Sequence, residues 1–150
     1  MNWPLVFSLA NLWAIAGWVL LAFLPRRPLV LTAVLYLVVF GLCALYAALL
    51  VGLVSGAIGG GAGGGGQASF TTIAGVQAIF ASEGGATVGW VHYLAFDLFT
   101  GRWIAKDADA KGFHRLTQLP ILLLTFAAGP VGLLIYLIVR EPRARRLAKR

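Results

Sequence analysis

The sequence predicts an all-α polytopic membrane protein: a four-transmembrane-helix bundle with a short interfacial or re-entrant helix between spans two and three. Three observations carry that reading. Hydrophobic residues make up 60% of the chain against 11% charged, with a mean hydropathy of +0.88, whereas a soluble domain typically carries about 25% charged residues. Apolar runs of membrane-crossing length follow one another along residues 1–150, with no sign of a second domain. The basic residues that give the net charge of +7 lie at the ends of those runs, where they meet lipid headgroups, so nucleic acid is not an expected partner.

The first span runs from Leu5 to Leu24 and closes at Pro25-Arg26-Arg27-Pro28. No basic n-region or small-residue cleavage motif precedes it, so it is expected to remain as a span rather than be removed as a signal peptide. Its Ser8 and Asn11 should face another helix, as hydrogen-bonding glue or as part of a pocket wall. Leu29 to Val54 is the second span, long enough to cross with tilt, and its Tyr36 and Tyr46 read as interface anchors or interhelical partners rather than catalytic phenols. Cys43 stands alone, which excludes an internal disulfide and a cysteine metal site.

Gly56 to Gly66 holds eight glycines in eleven residues without the Lys-Ser/Thr that a phosphate-cradling loop needs, and reads as a flexible linker. Gln67 to Ser82 is too short for a crossing and is placed at the interface, with Phe70, Ile73, Val76 and Phe80 on its apolar side. The third span covers residues 85 to 104, starting at a Gly85-xxx-Gly89 edge suited to close packing. Glu83, just before it, reads as an interfacial charge. A charged connection, Ala105 to Arg115, is expected to be a solvated loop and to hold Asp107 and Asp109. The fourth span, Leu119 to Val139, should kink at Gly129-Pro130, and Arg140 to Arg150 forms an exposed polybasic tail. Four crossings put both termini on one side, and the basic residues then divide six against six, which chooses no orientation.

Polar chemistry concentrates between Trp90 and Trp103. At about 100° per residue His92, Phe96, Phe99 and Trp103 share one helix stripe, beside a second that holds Trp90, Tyr93, Asp97 and Gly101. A carboxylate inside a span costs about 2.5 kcal/mol or more on insertion scales and marks a protein interior or a wet cavity. His114 and Gln118 enter from the same face and could close over Asp97. Three readings stay open. His92, Asp97 and His114 are the candidate catalytic residues for proton transfer around one pocket between spans three and four. Their donor types also suit iron, although Asp97 and His92 lie about 140° apart on one helix, so no metal or other cofactor is the working expectation. Finally, Asp97 could simply pair with Arg102 or Arg115 and lock two helices.

At these residues the sequence resembles the ABA4-like family of small membrane proteins, also described as a domain of unknown function, whose plant member is associated with neoxanthin synthesis from violaxanthin. The likeness rests on Trp90-x-His92-x-x-x-x-Asp97-Leu-Phe, then Arg102, Asp107, His114 and the Gly129-Pro130-x-Gly132 turn. It extends from Trp3 to Arg140. The resemblance implies an isomerase that opens a carotenoid epoxide to an allene without net redox change, with an acid at oxygen and a base at carbon. Carotenoid or another isoprenoid lipid is the implied ligand, with Trp90, Tyr93, Phe96, Arg102, Trp103 and Gln118 as its contacts. The alternatives are a non-catalytic scaffold or pigment-binding assembly factor, and a metal-dependent carotenoid-modifying enzyme. A short chain with no plastid transit segment is expected in the inner membrane of a bacterium.

Overall fold

In the computed structural model the described residues are 1–60 and 69–148, and they form helices only. Three of these are long: α1 (Trp3–Phe23), the continuous helix Pro28–Val54, and α5 (Glu83–Ala110). The second is made of α2 (Pro28–Ala33), a π-helical stretch Val34–Val39, and α3 (Phe40–Val54). The shorter helices are α4 (Ile73–Phe80), α6 (Arg115–Ala127) and α7 (Gly129–Ala148). Of these, α1 and Pro28–Val54 are long and apolar enough to cross a membrane. The chain divides into two compact units, Met1–Ala14 with Phe40–Ala95, and Ile15–Val39 with Phe96–Arg150.

Local chemistry sets most helix ends. Asn2 Oδ1 accepts the Leu5 amide at 3.1 Å and starts α1, which stops just before Pro25. Ser8 and the Asn11 amide nitrogen donate back to the carbonyls of Pro4 and Phe7 one turn earlier in the same helix. Pro28 opens α2, where its missing amide costs nothing. Thr72 caps α4 by accepting the Gly75 amide, which makes this helix shorter than the expected Gln67 to Ser82; residues 67 and 68 lie outside the described residues.

Within the first unit, the indole of Trp3 donates to the Gly59 carbonyl at 3.1 Å and packs on Gly60 and Gly84. The start of the glycine-rich stretch is thus held against α1 rather than free, because an indole buried to 5% exposure needs a partner for its N–H; residues 61–66 of that stretch lie outside the described residues. At the expected close-packing edge, a Cβ on Gly85 would overlap the Ile79 carbonyl and one on Gly89 the Phe80 ring, so the end of α4 lies directly on α5.

In the second unit the charged connection is shorter than expected. The helix α5 continues to Ala110 and is closed by Gly112 at φ 67°, with the Phe113 amide donating to the Ala108 carbonyl at 3.0 Å. Asp107 and Asp109 are therefore helical and anchored. Asp107 accepts from Tyr136 Oη (2.6 Å), Arg140 Nε (2.8 Å) and Lys111 Nζ (2.6 Å). The side chain of Arg26, 5% exposed, donates to Asp109 Oδ1 at 2.8 Å, to Gln118 Oε1 and to the Ala105 carbonyl.

The expected fourth span, Leu119 to Val139, is instead two helices. The chain breaks at Ala128 (φ −154°, ψ 75°), because Pro130 fits the first turn of a new helix better than the interior of an old one. The helix α7 then runs back beside α6, with Gly132 against Thr125. Its end is no loose tail: Arg140 reaches Asp107, Arg143 stacks over the Phe113 ring at 4.0 Å, and the helix continues to Ala148. Lys149 and Arg150 lie outside the described residues.

Burial pushes the Asp107 carboxyl up, but hydrogen bonds from Arg140, Lys111 and Tyr136 outweigh it and hold the group well below the usual carboxylate range. A depressed pKa contributes stability above the ordinary carboxylate value, about pH 4, and that contribution is lost as pH falls below it. Asp107→Asn keeps an acceptor for Tyr136 and discards both ion pairs. It should destabilise the detergent-solubilised protein by roughly 1–3 kcal/mol and flatten the acid limb of its melting-temperature profile. Identical acid limbs in both proteins would contradict this role.

Candidate functional site

The first unit contains a cavity of about 600 Å³. Most of its wall is apolar, formed by Leu50, Leu53, Val54, Phe70, Phe80 and Val88. Polar side chains enter at Tyr46, Ser82, His92 and Tyr93. The Ser82 hydroxyl is already committed, accepting the Gly85 amide at 3.0 Å to cap α5 and donating to the Ile79 carbonyl. Two phenols and an imidazole, those of Tyr46, Tyr93 and His92, also line the cavity. The His92 ring lies 5.4 Å from the Tyr46 ring and 6.3 Å, edge on, from the Tyr93 ring. Gly85 and Gly89 leave room on this face of α5, since a side chain at either would press into α4 or the cavity.

Trp90, one residue beyond Gly89, turns elsewhere. Its indole donates to Asn11 Oδ1 at 3.0 Å and stacks on Phe7 at 5.8 Å. Asn11 thus serves as glue between α1 and α5, one of the two roles its position suggests.

Asp97 belongs to the second unit, as do Phe96, Arg102, Trp103, His114 and Gln118. Its carboxylate lies on Gly129, the first residue of α7, where a Cβ would overlap Oδ1. A carboxylate at the start of a helix sits at the positive end of the helix dipole. The ion pair with Arg102 or Arg115 does not form: Arg102 donates to the Leu31 carbonyl at 2.9 Å and Arg115 to that of Leu24 at 2.7 Å. Nor do His114 and Gln118 close over Asp97. His114 caps α6, its Nδ1 accepting the Leu116 amide at 3.3 Å. Gln118, 1% exposed, donates to Asp109 at 2.8 Å and to the Phe113 carbonyl at 2.9 Å. Trp103 meets Tyr136 edge on at 5.7 Å, and Phe96 is exposed. Of the expected site residues the cavity brings together His92 and Tyr93. Among the described residues no three His, Cys, Asp or Glu side chains converge as a metal site would require.

The sequence reading missed Tyr46 as a wall residue of the cavity and Gly129 as the seat of Asp97. Tyr46 carries no local signal, because its partner His92 is distant in the chain. For Gly129 a signal existed: a glycine directly before the first-turn proline of a helix is free to receive a side chain from elsewhere. Gly129→Ala should cost roughly 1–3 kcal/mol of stability, as its methyl displaces the carboxylate. In an Asp97→Ala background the same substitution should cost nothing, and a double-mutant cycle on thermal unfolding measures the difference. Additive effects would mean that the two residues do not meet.

A family model described as ABA4-like, ABA DEFICIENT 4-like, matches residues 5–136. No curated protein and no solved structure matches the chain. The matched stretch takes in the whole cavity wall and the contact of Asp97 with Gly129. With most of its length matched, the chain belongs to the ABA4-like family.

Proposed function

We propose that this chain is a multi-pass membrane protein that holds one end of a carotenoid or related isoprenoid lipid in the cavity beside His92, and isomerises it by proton transfer. The observation that carries the reading is an imidazole set between two phenols in a wall that is otherwise apolar. Small-molecule sites of about 300–1,000 Å³ with a few placed polar groups are the usual form of a ligand pocket. Placement in a membrane is supported by α1 and Pro28–Val54, of whose apolar windows only 28% and 22% is buried. Core helices of a water-soluble domain would be mostly covered. Exposed Leu29, Tyr36, Leu37, Phe40 and Val51 suit lipid contact.

The chemistry asked of the site is modest. His92 takes a proton from the carbon next to an epoxide, the C–O bond breaks as a cumulated double bond forms, and the oxygen receives a proton from a phenol, Tyr46 or Tyr93. The imidazolium then returns its proton to that phenol, so atoms and electrons balance with no oxidant or reductant. Asp97 and His114 lie in the other unit, at the starts of α7 and α6, and are given no part in this step.

In a host that makes epoxidised carotenoids, expression of the chain should yield an isomer of unchanged mass. His92→Ala should lower its formation by about 10²–10⁴-fold at equal membrane levels, as loss of a general acid–base group does. Tyr46→Phe with Tyr93→Phe should lower it further than either alone. If pigment co-purifies with the protein but no isomer forms, the chain is a binding or assembly factor. Full isomer yield from His92→Ala would remove the imidazole from the chemistry.

A further inference from the structure

Three contacts inside the second unit fix the course of its last two helices. Gly129, where α7 begins, lies on Asp97. Tyr136 and Arg140 bond to Asp107 at 2.6 and 2.8 Å, and Arg143 covers the Phe113 ring at 4.0 Å. Asp97 and Asp107 are ten residues apart on one helix, a rise of about 15 Å. The chain thus leaves the charged end of α5 at Phe113, descends along α6 by about 15 Å, breaks at Ala128, and climbs back along α7 to the level it left. With 13 residues, α6 is about 20 Å long, short of the roughly 30 Å of a hydrocarbon core.

The charges follow the same geometry. All 12 Lys and Arg fall within Ile15–Val39 and Phe96–Arg150, and the other unit carries Glu83 as its single charged side chain. The acids at this end are absorbed: Asp107 by Lys111 and Arg140, Asp109 by Arg26, Glu141 by Arg145. Arg27, Lys106, Arg143 and Arg146 are exposed and have no acidic partner among the described residues.

We propose that α6 and α7 form a re-entrant hairpin that enters and leaves the membrane at one face, so that the chain crosses three times and its Lys and Arg gather in a single face that binds the anionic phospholipid headgroups of the cytoplasmic leaflet. The break at Ala128 fits such a hairpin, because irregular backbone at membrane depth is tolerated where protein covers it, and here Asp97 and Thr125 do. Three crossings place the termini on opposite sides, and a cluster of this size on one side sets the orientation with the C-terminus in the cytoplasm. Each exposed cation near an anionic surface strengthens binding several-fold.

Reporter fusions at the two ends of the full chain test the topology, with the C-terminal reporter expected in the cytoplasm and the N-terminal one outside. Signals from the same side, as four crossings would give, overturn the hairpin. The headgroup face is tested on the detergent-solubilised full chain with fluorescent phosphatidylglycerol and phosphatidylcholine of identical tails. Phosphatidylglycerol should bind at least about tenfold more tightly, with the preference falling at high salt. Combined Arg27→Gln, Lys106→Gln, Arg143→Gln and Arg146→Gln should erase most of that preference. Because Arg143 also packs on Phe113, the pair Lys106→Gln with Arg146→Gln is the milder variant and should retain an intermediate preference. Equal affinity for the two lipids, or full preference in the fourfold variant, overturns the face. Neither outcome depends on the chemistry at His92.

Discussion

The carboxylate of Asp97 needs compensation in the middle of a long helix, and the second unit is arranged to supply it without a counter-charge. The start of α7 is brought onto Asp97, so that the positive end of a helix faces the acid. A helix can start there only if another ends there, which makes the break at Ala128 necessary. Gly129 gives the carboxylate its place, Pro130 gives the new helix its first turn, and Gly132 lets α7 return against Thr125. At the other end of the hairpin Asp107 gathers Tyr136, Arg140 and Lys111, so two acids ten residues apart on α5 hold the start and the middle of α7.

The two units solve different problems with the same helical material. One carries nearly all of the chain's charged residues and ties several of them down in ion pairs and bonds to carbonyls, as at Arg26, which reaches Asp109, Gln118 and the Ala105 carbonyl. The other is almost without charge and has a cavity lined by Tyr46, His92 and Tyr93 in a mostly apolar wall. A cavity without charged side chains is ill suited to the recognition of anions, which would need an arginine, a lysine or an unfilled helix start. The start of α5 beside the cavity is already filled by Ser82 and carries Glu83 in its first turn.

Much of this was legible in the sequence. The all-α class, the first two apolar helices, the close approach at Gly85 and Gly89, and the place of His92 and Asp97 as polar groups within α5 all follow from periodicity and composition. From sequence alone Pro130 reads as a kink inside one helix, whereas it stands in the first turn of a second, α7. From sequence alone Asp107 and Asp109 read as part of a solvated loop, because five charges in a short stretch resemble one. Their partners, Arg26, Tyr136 and Arg140, are far away in sequence and leave no local trace. The same holds for Tyr46 beside His92.

The central claim is that the cavity beside His92 receives an isoprenoid ligand, and cysteine protection tests it most directly. With the exposed native Cys43 replaced by serine, Leu53→Cys places a thiol on the cavity wall, and Leu137→Cys places one on an exposed face of α7 as a control. Labelling by an apolar maleimide should be slowed several-fold by an epoxidised carotenoid at Leu53→Cys and unchanged at Leu137→Cys. Equal rates at Leu53→Cys with and without the carotenoid would contradict the claim.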